Sequence, residues 1–231
     1  MTLVRAAFAI LLTIFVAACA SFTYEGTSPG TLRGQLLVVW VGEDKFVYWP
    51  YTNDPLTFEL GPDLQKKLGI LTIRPGLMYT DGGSIPRPLR AFDGFSPWGY
   101  APAYIMHDWV FSAHHCIVQG KPDPTDVAEY DKIRLFSFED SGALLAEVIK
   151  TLMVNNRVRP NAEAFSLISF GVDSVVARNL WDTTTAASCD PVTSADRKLI
   201  EDALRRHSLR GFVPGLRSSQ KPPLIVHSQR F

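Results

Sequence analysis

Apolar residues recur along this chain with two different periods. Between Gln35 and Tyr79 they come in short β-forming runs. Gln35-Leu36-Leu37-Val38-Val39-Trp40 and Lys45-Phe46-Val47-Tyr48-Trp49 flank Gly42-Glu43-Asp44 and predict a hairpin that Pro50 stops. Leu56–Leu60 alternates, and Leu71–Arg74 and Leu77–Tyr79 flank the Pro75-Gly76 turn, predicting three further strands. From Pro102 onward the spacing becomes helical. Ala103–His115 reads as a helix with Pro102 in its first turn. Thr125-Asp126 caps a short helix to about Phe136. Ser141–Val154 carries Leu144, Leu145, Val148 and Leu152 on one stripe, and Ala162–Arg178 repeats the pattern through Phe165, Ile168, Val172, Val175 and Val176. A last amphipathic helix starts at Thr193 or Ser194 and runs to about His207. Strands precede helices, so the expected fold is α+β: a small N-terminal antiparallel sheet followed by a helical C-terminal part, in one domain over residues 35–207. Residues 208–231, with Gly, Pro, Ser and cations but few large apolar side chains, predict a mobile tail.

The N-terminus has a different pattern. Arg5 precedes the apolar run AAFAILLTIFVAA, which is shorter than a membrane span and ends in small residues before Cys19. Val16-Ala17-Ala18-Cys19 resembles the bacterial lipobox, which implies a signal peptide over residues 1–18 and lipidation of Cys19. More than one acyl chain gives stable anchoring. Ala20 stands where an Asp would signal retention at the inner membrane, so the expected location is the cell envelope, preferably the outer membrane, facing the periplasm. Residues 19–34, rich in Ser, Thr and Gly, predict a flexible tether.

Composition narrows the classes further. The 231 residues are 46% hydrophobic and 20% charged, as in an ordinary globular protein. The 23 basic and 23 acidic residues cancel, which argues against nucleic acid as a partner. The membrane, and a cell-envelope or protein partner, remain. An oxidising envelope permits a disulfide between Cys116 and Cys189, and two buried thiols fit the sequence equally well.

The candidate chemistry is concentrated between Tyr79 and Phe111. Asp81-Gly82-Gly83-Ser84 forms a turn whose glycines allow close backbone approach and whose amides suit an anion. Asp81 and Ser84 fit either metal binding and water orientation or simple turn capping. His107-Asp108 then sits inside the apolar run IMHDWVF. A carboxylate there needs a partner, and Arg87 or His107 is the nearest by sequence. Two readings follow. In one, an Arg87–Asp108 bridge pins loop to helix. In the other, His107 is a general base held by Asp108 or Asp81, with Ser84 lining an anion pocket and a divalent ion assisting. His114 lies two turns beyond His107, about 10 Å along the axis, so it is excluded from a shared zinc set. His114 and His115 are expected at the surface of the helix end.

TDGGSIPR followed by PWGYAPAYIMHDWVF resembles the phage and bacterial family called domain of unknown function 1353. The resemblance covers about Ile73 to Phe111, with a downstream pattern that extends it toward Thr151, and implies that Asp81, Ser84, Pro86, Arg87, His107 and Asp108 are its motif positions. Gly83 stands where that family has Ala. Aligning Ser137 and Glu147 with the downstream pattern places Gly142 at an acidic position, for which Asp126, Asp131 or Asp140 would have to substitute. The resemblance implies a domain without an assigned reaction.

Overall fold

A computed structural model describes residues 22–42, 45–80, 99–183, 189–210 and 224–231. The architecture is α+β, as expected. β1 (Thr31–Arg33), β4 (Thr57–Glu59) and β5 (Thr72–Ile73) form a small sheet in the order β1-β4-β5. β6 (Met78–Thr80), β3 (Lys45–Tyr48), β2 (Gln35–Gly42) and β7 (Leu224–Arg230) form a second sheet in the order β6-β3-β2-β7. All pairings between these strands are antiparallel.

β2 is apolar on both faces for a physical reason. Leu36 and Val38 enter the main core, whereas Leu37 and Val39 join Val47, Val192 and Ile200 in a second, smaller core. A strand covered on both sides loses the polar alternation of a half-exposed strand. The cover on the second face is α7 (Ser194–Arg210). Gly34 turns the chain from β1 into β2 at φ 92°, and a Cβ there would stand 2.1 Å from the Pro55 carbonyl oxygen, so only glycine fits.

The main core lies between the other face of this sheet, the small sheet and a helical layer. α2 (Ala101–Val118) and α4 (Phe138–Val154) pack together at its centre. α3 (Val127–Ile133) and α6 (Val175–Asp182) lie on α2, and α5 (Ala162–Val172) lies on α4. α4 begins with a capping box: the Ser137 hydroxyl accepts from the Asp140 N–H, and the Asp140 carboxylate accepts from the Ser137 N–H. A short helix unmarked by apolar period, α1 (Pro62–Leu68), starts at a proline and ends at Gly69 in the left-handed region. Cys116 near the end of α2 is disulfide-bonded to Cys189, with 4.8 Å between their Cα atoms.

Several boundaries need correction. The expected tether over 19–34 is packed structure from Phe22 onward. The Tyr24 ring meets Phe165 edge-on, Gly30 N–H donates to Thr151 Oγ1 at 2.9 Å, and Thr31–Arg33 is β1. Two aromatics outweigh the small polar residues around them. The expected tail over 208–231 contains the end of α7 and all of β7, which pairs with β2 from Gln35↔Arg230 to Trp40↔Leu224. That pairing is wholly non-local, so local composition carries little trace of it. The single helix expected over 162–178 divides at Asp173 because the Ser174 hydroxyl accepts from the Ala177 N–H and starts a new one. No helix among the described residues is long and apolar enough to cross a membrane.

Candidate functional site

The structure brings His107 and Asp108 to the end of β6. Thr80 Oγ1 donates to Asp108 Oδ2 at 2.7 Å, fastening α2 to the strand that leads into the glycine turn. His107 Nδ1 lies 3.9 Å from Asp108 Oδ1, too far for a hydrogen bond but close enough for attraction to an imidazolium. The imidazole rests against Phe111, with ring centroids 4.6 Å apart. His107 Nε2 is buried and has no hydrogen-bond partner among the described residues. The side chains of His107 and Asp108 are 12% and 22% exposed, a partly sealed pair rather than a floor of open cleft. Thr80→Val is expected to cost about 1–2 kcal/mol in urea unfolding, because it strips a buried-side hydrogen bond from a carboxylate.

Asp81, Ser84, Pro86 and Arg87 lie outside the described residues, as does Cys19. The Arg87–Asp108 bridge is therefore not part of the described geometry, and Thr80 is a partner that sequence spacing did not bring forward. The three candidate replacement acids occupy three different environments. Asp140 serves the capping box and pairs with Lys67 Nζ at 2.5 Å. Asp131 is exposed and pairs with Arg134 at 3.3 Å. Asp126 faces Arg74 at 3.6 Å. Among the described residues none of them bonds to His107 or Asp108. The Gly142 position has its own explanation: an added Cβ would meet the Phe22 ring at 3.1 Å, so the N-terminal aromatic occupies the space beside that glycine. The expectation for the last turn of α2 also changes. His115 is buried, its Nε2 within 2.9 Å of the Leu180 carbonyl oxygen, and His114 stacks on Trp181 at 3.8 Å. Burial, then the neighbouring His115, holds the His114 pKa below its ordinary value.

A separate cleft of about 280 Å³ opens next to Trp109, on the same helix as the His-Asp pair. Pro50, Tyr51, Arg74, Asp123, Asp126 and Arg197 are among its walls. The Arg74 guanidinium stands 3.6 Å from Asp126 and 3.7 Å from Glu129, and its backbone N–H donates to Glu129 Oε2 at 3.1 Å. Arg197 reaches Asp123 at 3.8 Å. The two wall aspartates are displaced in opposite directions. Hydrogen bonds from the Thr125 hydroxyl and N–H lower the Asp123 pKa. Burial raises that of Asp126, with Glu129 and Asp123 adding to the rise and Arg74 opposing it. The cleft thus presents fixed charges of both signs, drawn from β5's exit, the 122–126 run and α7. The run Lys121-Pro122-Asp123-Pro124-Thr125-Asp126 was its one local signal, two aspartates held among prolines. Arg74 and Arg197 reach it only through the fold.

Among the described residues no group of three or more His, Cys, Asp or Glu side chains converges as a metal site. No family model, no curated protein and no solved structure matches this chain.

Proposed function

We propose that the chain is a lipid-anchored lipoprotein of the bacterial envelope, acylated at Cys19 and preferring the outer membrane, whose domain is of the domain of unknown function 1353 type and binds a polar envelope ligand without turning it over. The observation that carries the binding role is the cleft of paired charges at Arg74, Asp126, Asp123 and Arg197, whose described walls do not include the partly sealed His107-Asp108 pair. Ligands bearing both an ammonium and a carboxylate, as cell-wall peptides do, complement such walls. His107, Asp108 and Thr80 then act as the fastening between helix and strand.

Cosedimentation with purified peptidoglycan sacculi tests this reading. Arg74→Ala is expected to weaken binding about tenfold, the equivalent of about 1.4 kcal/mol, while His107→Gln lowers the unfolding temperature. Sacculi that bind wild type and Arg74→Ala equally would rule out the cleft as the binding site.

One observation favours a second reading, an envelope hydrolase. His107 Nε2 is a buried nitrogen with no hydrogen-bond partner among the described residues, beside a carboxylate already oriented by Thr80. In that reading His107 is the general base, Asp81 or Asp108 holds it, and a divalent ion assists. New muropeptides released by wild type but not by His107→Gln would establish this alternative.

A further inference from the structure

Phe22, where the described packing begins, is only three residues along the chain from a lipid at Cys19. The Phe22 ring lies against Gly142 at the start of α4, and Tyr24 packs on Phe165 of α5 while its carbonyl accepts from Lys150 Nζ at 2.7 Å. Three residues of chain reach at most about 10–11 Å when fully extended. That is about the width of one helix. An acyl-bearing Cys19 therefore holds the headgroup surface within one helix width of Phe22.

The face beside that point has an unusual composition. α6 turns Ala177 and Trp181 inward and leaves Val175, Val176 and Leu180 at 76%, 69% and 59% exposure. Val176 and Leu180 are four residues apart and share one stripe. Isolated exposed apolar residues are common, whereas here three fall together on one eight-residue helix. α6 is also fixed next to the chain's entry point. Arg178 pairs with Glu139 and lies over the Phe138 ring, in the same first turn of α4 that leads to Gly142 and Phe22.

We propose that α6, together with the Phe22–Tyr24 segment, is a membrane-seating face that lies on the phospholipid headgroup boundary, so that the domain rests on the bilayer rather than hanging from a tether. This rests on the lipoprotein reading above. It places α7, on the far side of the four-stranded sheet, toward the periplasm.

The test uses full-length lipidated protein in vesicles of phosphatidylethanolamine with a minority of phosphatidylglycerol. An environment-sensitive fluorophore is attached at Val176→Cys or, as control, at Lys198→Cys on α7, and quenched by lipids carrying a nitroxide. Quenching at position 176 is expected to exceed that at 198 severalfold, with a blue-shifted emission. Equal quenching at the two positions in protein whose mass includes the acyl chains would overturn the seat and leave the anchor intact. A mass without acyl chains would overturn the anchor and the seat together. A blue shift at 176 that persists without lipid and grows with protein concentration would mean that a second copy covers this face, and would also overturn the proposal.

Discussion

Breaking the Cys116–Cys189 bond is expected to lower stability by about 4 kcal/mol, the chain-entropy cost of releasing a loop of this size. The two cysteines are 73 residues apart, and the loop between them contains α3, α5, α6 and the whole of α4. The bond joins the end of α2 to the segment that leads into α7. Its loss therefore also loosens the helix that covers Leu37, Val39 and Val47 on the outer face of the sheet. For a protein of this size the thermal midpoint should fall by about 8–16 °C. Cys116 and Cys189 are both buried, so the double Ala variant is the cleaner comparison, since serine hydroxyls would be left there without solvent. Coincident urea unfolding curves for oxidised and reduced protein would show that the link contributes nothing.

Substituting Glu147 is expected to remove the pH dependence that this carboxyl contributes between its ordinary value, 4.5, and about 7. Glu147 projects from α4 and accepts the Gly61 N–H at 2.7 Å, acting as the cap of α1 from another helix. Burial raises its pKa to about 7, more than the backbone donors of Gly61 and Leu64 can offset. The ordinary value is 4.5, so the native state holds a proton that the unfolded chain has lost across the interval between the two values. The resulting stabilisation is complete below the lower value and disappears as pH rises through the higher one. Its size is on the order of 3 kcal/mol. Glu147→Gln keeps an oxygen for the Gly61 N–H and carries no charge. It should therefore gain on wild type as pH rises, and urea midpoints at about pH 5 and about pH 8 measure that gain. A constant difference between the two proteins at both pH values would show that Glu147 does not titrate in this range.

The legibility of the fold followed the range of the interactions. The strands over 35–42, 45–48, 57–59, 72–73 and 78–80 and the helices at 101–118, 138–154 and 194–210 each carry their own period or cap, and the chain announces them. β7 does not, because its partner β2 is almost the whole chain away. α1 does not either, because the side chain that caps it belongs to α4. Phe22 and Tyr24 were hidden by their neighbours' composition, although their rings decide that the N-terminal segment is packed.

The candidate site divides along the same line. The adjacency of His107 and Asp108 and the turn chemistry of Asp81 to Ser84 are properties of the sequence alone. So are the charge balance, the two β and helical periods, and the lipobox resemblance at Cys19. The tertiary structure alone decided that Asp108 binds Thr80, that Asp126 meets Arg74 across a cleft, and that Cys116 meets Cys189. Period and capping act within a few residues and are written locally. Pairings across 28, 52 or 73 residues depend on how α2, β5 and α7 pack, and the free energy that selects that packing is spread over the whole core.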